Sequence, residues 1–124
     1  RRQLAPIIWS VTLHVPPSDP AIIKSEIERL LQSRIATQPH QRTAGSCFKA
    51  AEDTPAWQLI DAAGLRGMKH GGVQISEKHA NFLIGEKGAT FEDAMNVVKT
   101  VKEKIPEKLE VEMRFIQMNG LPLY

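Results

Sequence analysis

The residues best equipped for chemistry sit in two short segments. The first reads Arg42-Thr43-Ala44-Gly45-Ser46-Cys47-Phe48-Lys49: a hydroxyl just after a glycine-bearing turn, followed by a cation. The second reads Leu109-Glu110-Val111-Glu112-Met113-Arg114-Phe115-Ile116 and alternates apolar with charged residues. That period of two is a strand's, and it sends Glu110, Glu112 and Arg114 to one face and Leu109, Val111, Met113 and Phe115 to the other. A serine hydroxyl held against a developing carbanion or enol is a proton donor to carbon. A carboxylate fixed on a strand meets charge that exists only near the transition state better than one on a loop. The two segments are far apart in sequence, so this chemistry requires a fold that brings them to one cleft.

Each residue also has a plainer reading. Ser46 suits a turn in which the hydroxyl bonds nearby backbone. The hydrolase elbow is excluded, because Ala44 and Phe48 stand where it needs glycines. Glu112 reads equally as a solvated carboxylate paired with Arg114 on the same face. Lys49 reads as a solvated surface charge. His79 suits an exposed position at a strand entry. Cys47, the single cysteine, reads as a small buried hydrophobe. Four histidines and one cysteine show no zinc spacing, so no metal site is expected.

Positioning these groups falls to a mixed set of elements. Residues 7–15 are rich in β-branched side chains and predict a strand, ended by Pro16-Pro17. Ser18 or Asp19 can cap a helix over residues 20–34, whose apolar stripe is Ile23, Ile27, Leu30 and Leu31. Thr54-Pro55 opens a second helix that carries Trp57, Leu59, Ile60 and Ala63 and stops near Gly64. Short strands follow at 73–75 and 81–84, with Gly67, Gly71 and Gly72 breaking up the approach. Thr90 and Asp93 form a capping box before a helix at 91–105, which Pro106 closes. The last strand is 109–116, and the tail beyond it has no periodicity. This order predicts an α+β fold: a mixed or antiparallel sheet with helices packed mainly on one side. Residues 1–38 read as a strand and linking helix that belong with something upstream and so expose an apolar face. Residues 39–124 read as the compact unit.

These motifs in this order resemble the UDP-N-acetylenolpyruvoylglucosamine reductase (UDP-N-acetylmuramate dehydrogenase) family, in its C-terminal substrate-binding domain. Ala44, Gly45, Ser46, Phe48 and Lys49 match the family's Ala-Gly-Ser-x-Phe-Lys-Asn-Pro run, while Ala50 and Ala51 replace its Asn-Pro. Leu59-Ile60-Asp61, Gly64-Leu65, Gly67, Gly71-Gly72, residues 76–82, Ala89-Thr90 and the closing Leu109-Glu110, Glu112, Arg114 and Phe115-Ile116 match as well; Val111 stands where the family carries proline. Ser10-Val11-Thr12-Leu13, the first helix and Thr37-Gln38-Pro39 are similar to the family's bridge from flavin domain to substrate domain. The resemblance implies reduction of an enolpyruvyl ether with FAD and NADPH as cofactors of the full-length enzyme. It implies Ser46 as the proton donor and Glu112 as the group that stabilises or protonates the enol. Lys49, His79 and Asn81 become substrate-binding residues for UDP-N-acetylglucosamine enolpyruvate, His79 and Asn81 at its uridine nucleotide. The flavin-binding residues, and an arginine that shares the catalytic work, belong to an N-terminal FAD-binding domain outside this chain. None of the cofactors is therefore expected on this chain alone, and the chain by itself is expected to be inactive.

Composition sets the remaining bounds. A net charge of +2 is no nucleic-acid footprint. The most apolar stretch, 4–15, is too short to span a membrane, and no signal peptide is legible at the N-terminus. A cytoplasmic protein with no nucleic-acid or membrane partner is expected. The start at Arg1 suggests a piece of a longer protein or a natural remnant. Two other functions compete. One is a non-catalytic nucleotide-sugar binding module. The other is a KH-like RNA-binding module, from the Gly-x-x-Gly spacing of Gly85-Glu86-Lys87-Gly88; against it, residues 81–84 read as a strand where KH needs a helix.

Overall fold

The computed structural model describes residues 8–106 and 109–116. The chain divides into two compact units, Arg1–Gln32 and Ser33–Tyr124. Helix α1 (Pro20–Thr37) runs three residues past the expected end and begins on Asp19, whose carboxylate accepts the Ala21 N–H at 2.7 Å. None of its residues is buried; Ile23, Ile27, Leu30 and Leu31 are 44–52% exposed. Over residues 8–15 the expected strand does not form. Its β-branched side chains favour extended backbone, but a strand also needs a neighbour to take its N–H and C=O groups, and none pairs with it among the described residues. Residue 7 and the tail after Ile116 lie outside the described residues.

The second unit is α+β with an antiparallel sheet. Its elements are α2 (Ala56–Ala62), β1 (Lys69–His70), β2 (Val73–Ile75), β3 (Leu83–Gly85) and α3 (Phe91–Lys104). The sheet order is β1-β2-β3, with His70 opposite Val73 and Gln74 opposite Ile84. β1 was not anticipated: it is two exposed polar residues, created by the tight Gly71-Gly72 turn that folds it onto β2. Gly71 has φ +54°, and a Cβ there would stand 2.0 Å from the Asp93 carboxylate, so only glycine fits.

α3 packs on β1 and β2 and buries Val97, Val98 and Val101. Its start is the expected capping box: Thr90 Oγ1 accepts the Asp93 N–H at 3.1 Å, and Asp93 Oδ2 accepts the Thr90 N–H at 3.0 Å. α2 follows Pro55 and adds Ala56 and Ile60 to the same core, which also holds Phe48, Leu65 and Ile75. Gly64, at φ +69°, turns the chain out of α2. Over 109–116 the expected alternation is present in burial, with Leu109 and Phe115 inside and Glu110, Glu112 and Arg114 outside. The segment pairs through isolated bridges rather than as a regular strand, one of them Val111 opposite Phe48. The segment before Gly85-Glu86-Lys87-Gly88 is β3 and no helix, which removes the KH reading.

Candidate functional site

Residues 46–49 form a seam with neighbours on both edges. On one edge Ser46 bridges Phe82, and the Cys47 N–H donates to the Asn81 carbonyl at 2.9 Å. On the other, Phe48 bridges Val111 and the Lys49 N–H donates to the Glu110 carbonyl at 2.9 Å. Beside that pair, the Glu112 and Met113 N–H groups both donate to the Cys47 carbonyl, at 2.8 and 3.4 Å. Two residues facing one is β-bulge geometry, which interrupts the ladder and re-aims a side chain. The extra residue in the bulge is the reason 109–116 is not a continuous strand, and Glu112 belongs to it.

Asn81 locks the seam from beneath. Its buried side-chain amide accepts the Phe48 N–H at 2.9 Å and donates to the Phe48 carbonyl at 2.8 Å. A side chain thus supplies what a neighbouring strand would, and both peptide groups of a buried residue are satisfied.

The seam forms one wall of a cleft of about 390 Å³ whose lining includes Ser46, Lys49, Ala50, Trp57, His79, Asn81 and Glu112. All five residues singled out in the sequence therefore meet in one place. The Ser46 side chain is exposed, and its hydroxyl has no partner among the described residues. The local turn bond is made instead by Thr43, whose Oγ1 accepts the Gly45 N–H at 3.2 Å. The Glu112–Arg114 pair does not form; the ion pair on that face joins Lys49 Nζ to Glu110 Oε1 at 2.6 Å. Both partners are exposed, so the bond is readily exchanged for a ligand's anion.

His79 Nδ1 accepts the Asn81 N–H at 3.2 Å, which places the ring proton on Nε2. Burial, reinforced by the Arg66 charge, lowers its pKa below the ordinary histidine value and keeps the ring neutral. Cys47 is fully buried; burial, with a further contribution from the Glu112 charge, pushes its thiol up to about 11, so it is no nucleophile. Among the described residues no three His, Cys, Asp or Glu side chains cluster as metal ligands. No helix among them is long and apolar enough to cross a membrane.

Two participants were missed in the sequence. Glu110 was placed on the right face, but its tie to Lys49 spans 61 positions and has no local signature. Trp57 was assigned to α2 without reference to the cleft; its one local signal is that it stands off the helix's buried stripe.

The chain is similar to proteins of a known family. Residues 38–115 match the model of the UDP-N-acetylenolpyruvoylglucosamine reductase C-terminal domain, a span that contains all five site residues. The UDP-N-acetylenolpyruvoylglucosamine reductase of Erythrobacter litoralis is 42% identical over 118 residues, covering 94% of this chain and 36% of that protein. The one from Geobacter metallireducens is 42% identical over 121 residues, covering 92% of this chain and 40% of its own length. Among solved structures, the UDP-N-acetylenolpyruvylglucosamine reductase from Thermus caldophilus superposes with a TM-score of 0.63 at 33% identity, over 74% of this chain and 34% of that one. The chain thus spans little more than a third of the length of these relatives. With its matched segment, its α+β architecture and its ordered motifs in agreement, the chain belongs to the UDP-N-acetylenolpyruvoylglucosamine reductase family, in its C-terminal domain.

Proposed function

We propose that this chain is the substrate-binding and proton-donating domain of an NADPH- and FAD-dependent reductase. The full-length enzyme converts UDP-N-acetylglucosamine enolpyruvate to UDP-N-acetylmuramate, a step of peptidoglycan synthesis in the bacterial cytoplasm. The observation that carries this reading is the convergence of an unpartnered Ser46 hydroxyl and the Glu112 carboxylate on one seam-bound cleft wall. Residues 39–124 are then the substrate domain, and residues 1–38 the end of the flavin region.

The cleft's groups are an ammonium, a hydroxyl, an imidazole N–H and a carboxylate. They fit a sugar diphosphate and an enolpyruvyl group; they do not build a cradle for a flavin ring, whose site the reading assigns to an N-terminal domain outside this chain. In the full-length enzyme the reduced flavin supplies hydride to the substrate. This chain's part is the proton side. Backbone pairing at Cys47 and Phe48 positions the Ser46 residue, and its free Oγ–H gives its proton to the substrate carbon next to the carboxylate. Glu112, aimed by the bulge, stabilises the enol form of that same centre. Groups fixed in advance accelerate such a step because they need no reorganisation when the charge appears. Lys49 exchanges Glu110 for the diphosphate, and Ala50, where the family carries asparagine, leaves that contact to Lys49.

In the full-length protein, Ser46→Ala is expected to leave flavin reduction by NADPH intact. It should slow the oxidative half-reaction about 10²–10⁴-fold. Stopped-flow flavin absorbance separates the two halves, and normal reoxidation in the variant would remove Ser46 from this role.

A further inference from the structure

α2 buries Ala56 and Ile60, which follow one another at helical spacing. Trp57 stands beside that stripe with Asp61 four positions on, and it remains 39% exposed. More of the residue is covered than exposed, but the part left in water on this seven-residue helix adds nothing to the fold. Its position is specific all the same: it lines the cleft that holds Lys49 and His79. Its ring meets His79 edge-on, with centroids 6.3 Å apart at 62°, and His79 in turn meets Phe82 at 4.7 Å. The indole is therefore braced, while an edge-on contact of this kind does not cover both of its faces.

The geometry points to Trp57 as the platform on which the nucleobase of the nucleotide-sugar stacks, beside the His79 that the reading above already gives to the nucleotide. The inference rests on the nucleotide-sugar reading above and assigns its base-recognition site. Three groups of the cleft match three parts of one ligand: a π-face for the base, an imidazole N–H for its carbonyl, and the Lys49 ammonium for the diphosphate. His79 is available as that donor because its Nδ1 is already engaged by the Asn81 N–H. The cleft's volume of about 390 Å³ lies in the range of small-ligand sites, roughly 300–1,000 Å³.

The test uses tryptophan emission of this chain. The chain has two tryptophans, so Trp9→Phe leaves Trp57 as the sole reporter. UDP is titrated against 5,6-dihydro-UDP, which keeps the carbonyls and the diphosphate but loses the aromatic plane. UDP is expected to quench Trp57 and to bind more tightly than the dihydro compound. Heteronuclear NMR then measures affinity in Trp57→Ala, expected to bind UDP about tenfold to a hundredfold more weakly and to lose the preference between the two ligands. Trp57→Phe should keep most of both. Where the alanine variant does not fold, Trp57→Leu retains apolar volume and carries the same comparison. If UDP shifts the Lys49 and His79 resonances while the Trp57 variants bind it like the parent chain, the platform is wrong and the nucleotide-sugar reading stands. If UDP shifts no cleft residue, both fall.

Discussion

Asn81 and Asp93 both bind main chain with a short side chain, and they do it with opposite chemistry. The Asn81 amide can both donate and accept, and it pairs with both the N–H and the C=O of Phe48. The Asp93 carboxylate only accepts. It gathers the Thr90 N–H at 3.0 Å and the Gly72 N–H at 3.2 Å, holding the start of α3 to the β1–β2 turn. The neutral clamp lies under the seam that carries Ser46. The ionised clamp lies at the turn, where it also comes within 3.9 Å of His70. The difference teaches where this fold tolerates protonation: the wall that must hold a proton donor in place is fastened by a group that does not itself titrate.

Removing the neutral clamp should have the largest effect. Asn81→Leu leaves two buried peptide groups of Phe48 without partners, at about 1–3 kcal/mol each, so a loss of about 2–6 kcal/mol in urea unfolding is expected. In the full-length protein the same variant should lower turnover about tenfold to a hundredfold, because misplacing reacting groups by an ångström costs of that order. Its KM for the nucleotide sugar should change little. A raised KM with unchanged turnover would instead make Asn81 a direct substrate contact, the role the family resemblance implies.

The ionised clamp should fail in acid. The backbone N–H groups of Thr90 and Gly72, then the Thr90 hydroxyl, hold the Asp93 carboxyl below the ordinary aspartate value of 3.8. Its folded pKa is thus depressed relative to the unfolded chain. The stability it adds is complete above the unfolded value, near pH 4, and is lost as pH falls through the folded value. Amide exchange at Gly72 and Thr90 should accelerate in that window before exchange at Phe48 does. Urea midpoints measured from pH 7 down to pH 2.5 should fall less steeply in Asp93→Asn than in the parent chain; equal slopes would refute the assignment.

The smallest effect belongs to the rim. Glu110→Gln frees Lys49 from an exposed pair worth about 0–1 kcal/mol, so stability should hardly move. UDP binding should tighten by a few-fold at low ionic strength, and the gain should vanish in high salt as the charges are screened. Tightening that persists in high salt would show that Glu110 does more than occupy Lys49.

Local signals in the sequence carry the helices well. Thr90 with Asp93, the valine stripe behind them and Pro106 mark α3 nearly to the residue. Strands were harder, since residues 8–15 have strand composition without a partner among the described residues, whereas Lys69-His70 have a partner without the composition. The site residues were legible through ordered motifs, but their mechanical roles were not. The Asn81–Phe48 clamp spans 33 positions and the Lys49–Glu110 pair spans 61, and no local pattern encodes either. The bulge at Glu112 was hidden for a related reason: alternation in sequence gives the side-chain faces but not which residue the partner strand skips.

The position of Cys47 makes the molecule its own gauge. It is the only thiol in the chain, it lies fully buried in the middle of the seam, and it bonds to 81 on one edge and to 112 and 113 on the other. A small alkylating reagent reaches the sulfur only when one of those edges parts. Under conditions where resealing outruns labelling, the modification rate therefore reads the population of molecules whose cleft wall is open. The ratio of that rate to the labelling rate of the unfolded chain, both read by mass, converts the integrity of the Ser46–Glu112 geometry into a free energy without substrate, flavin or turnover.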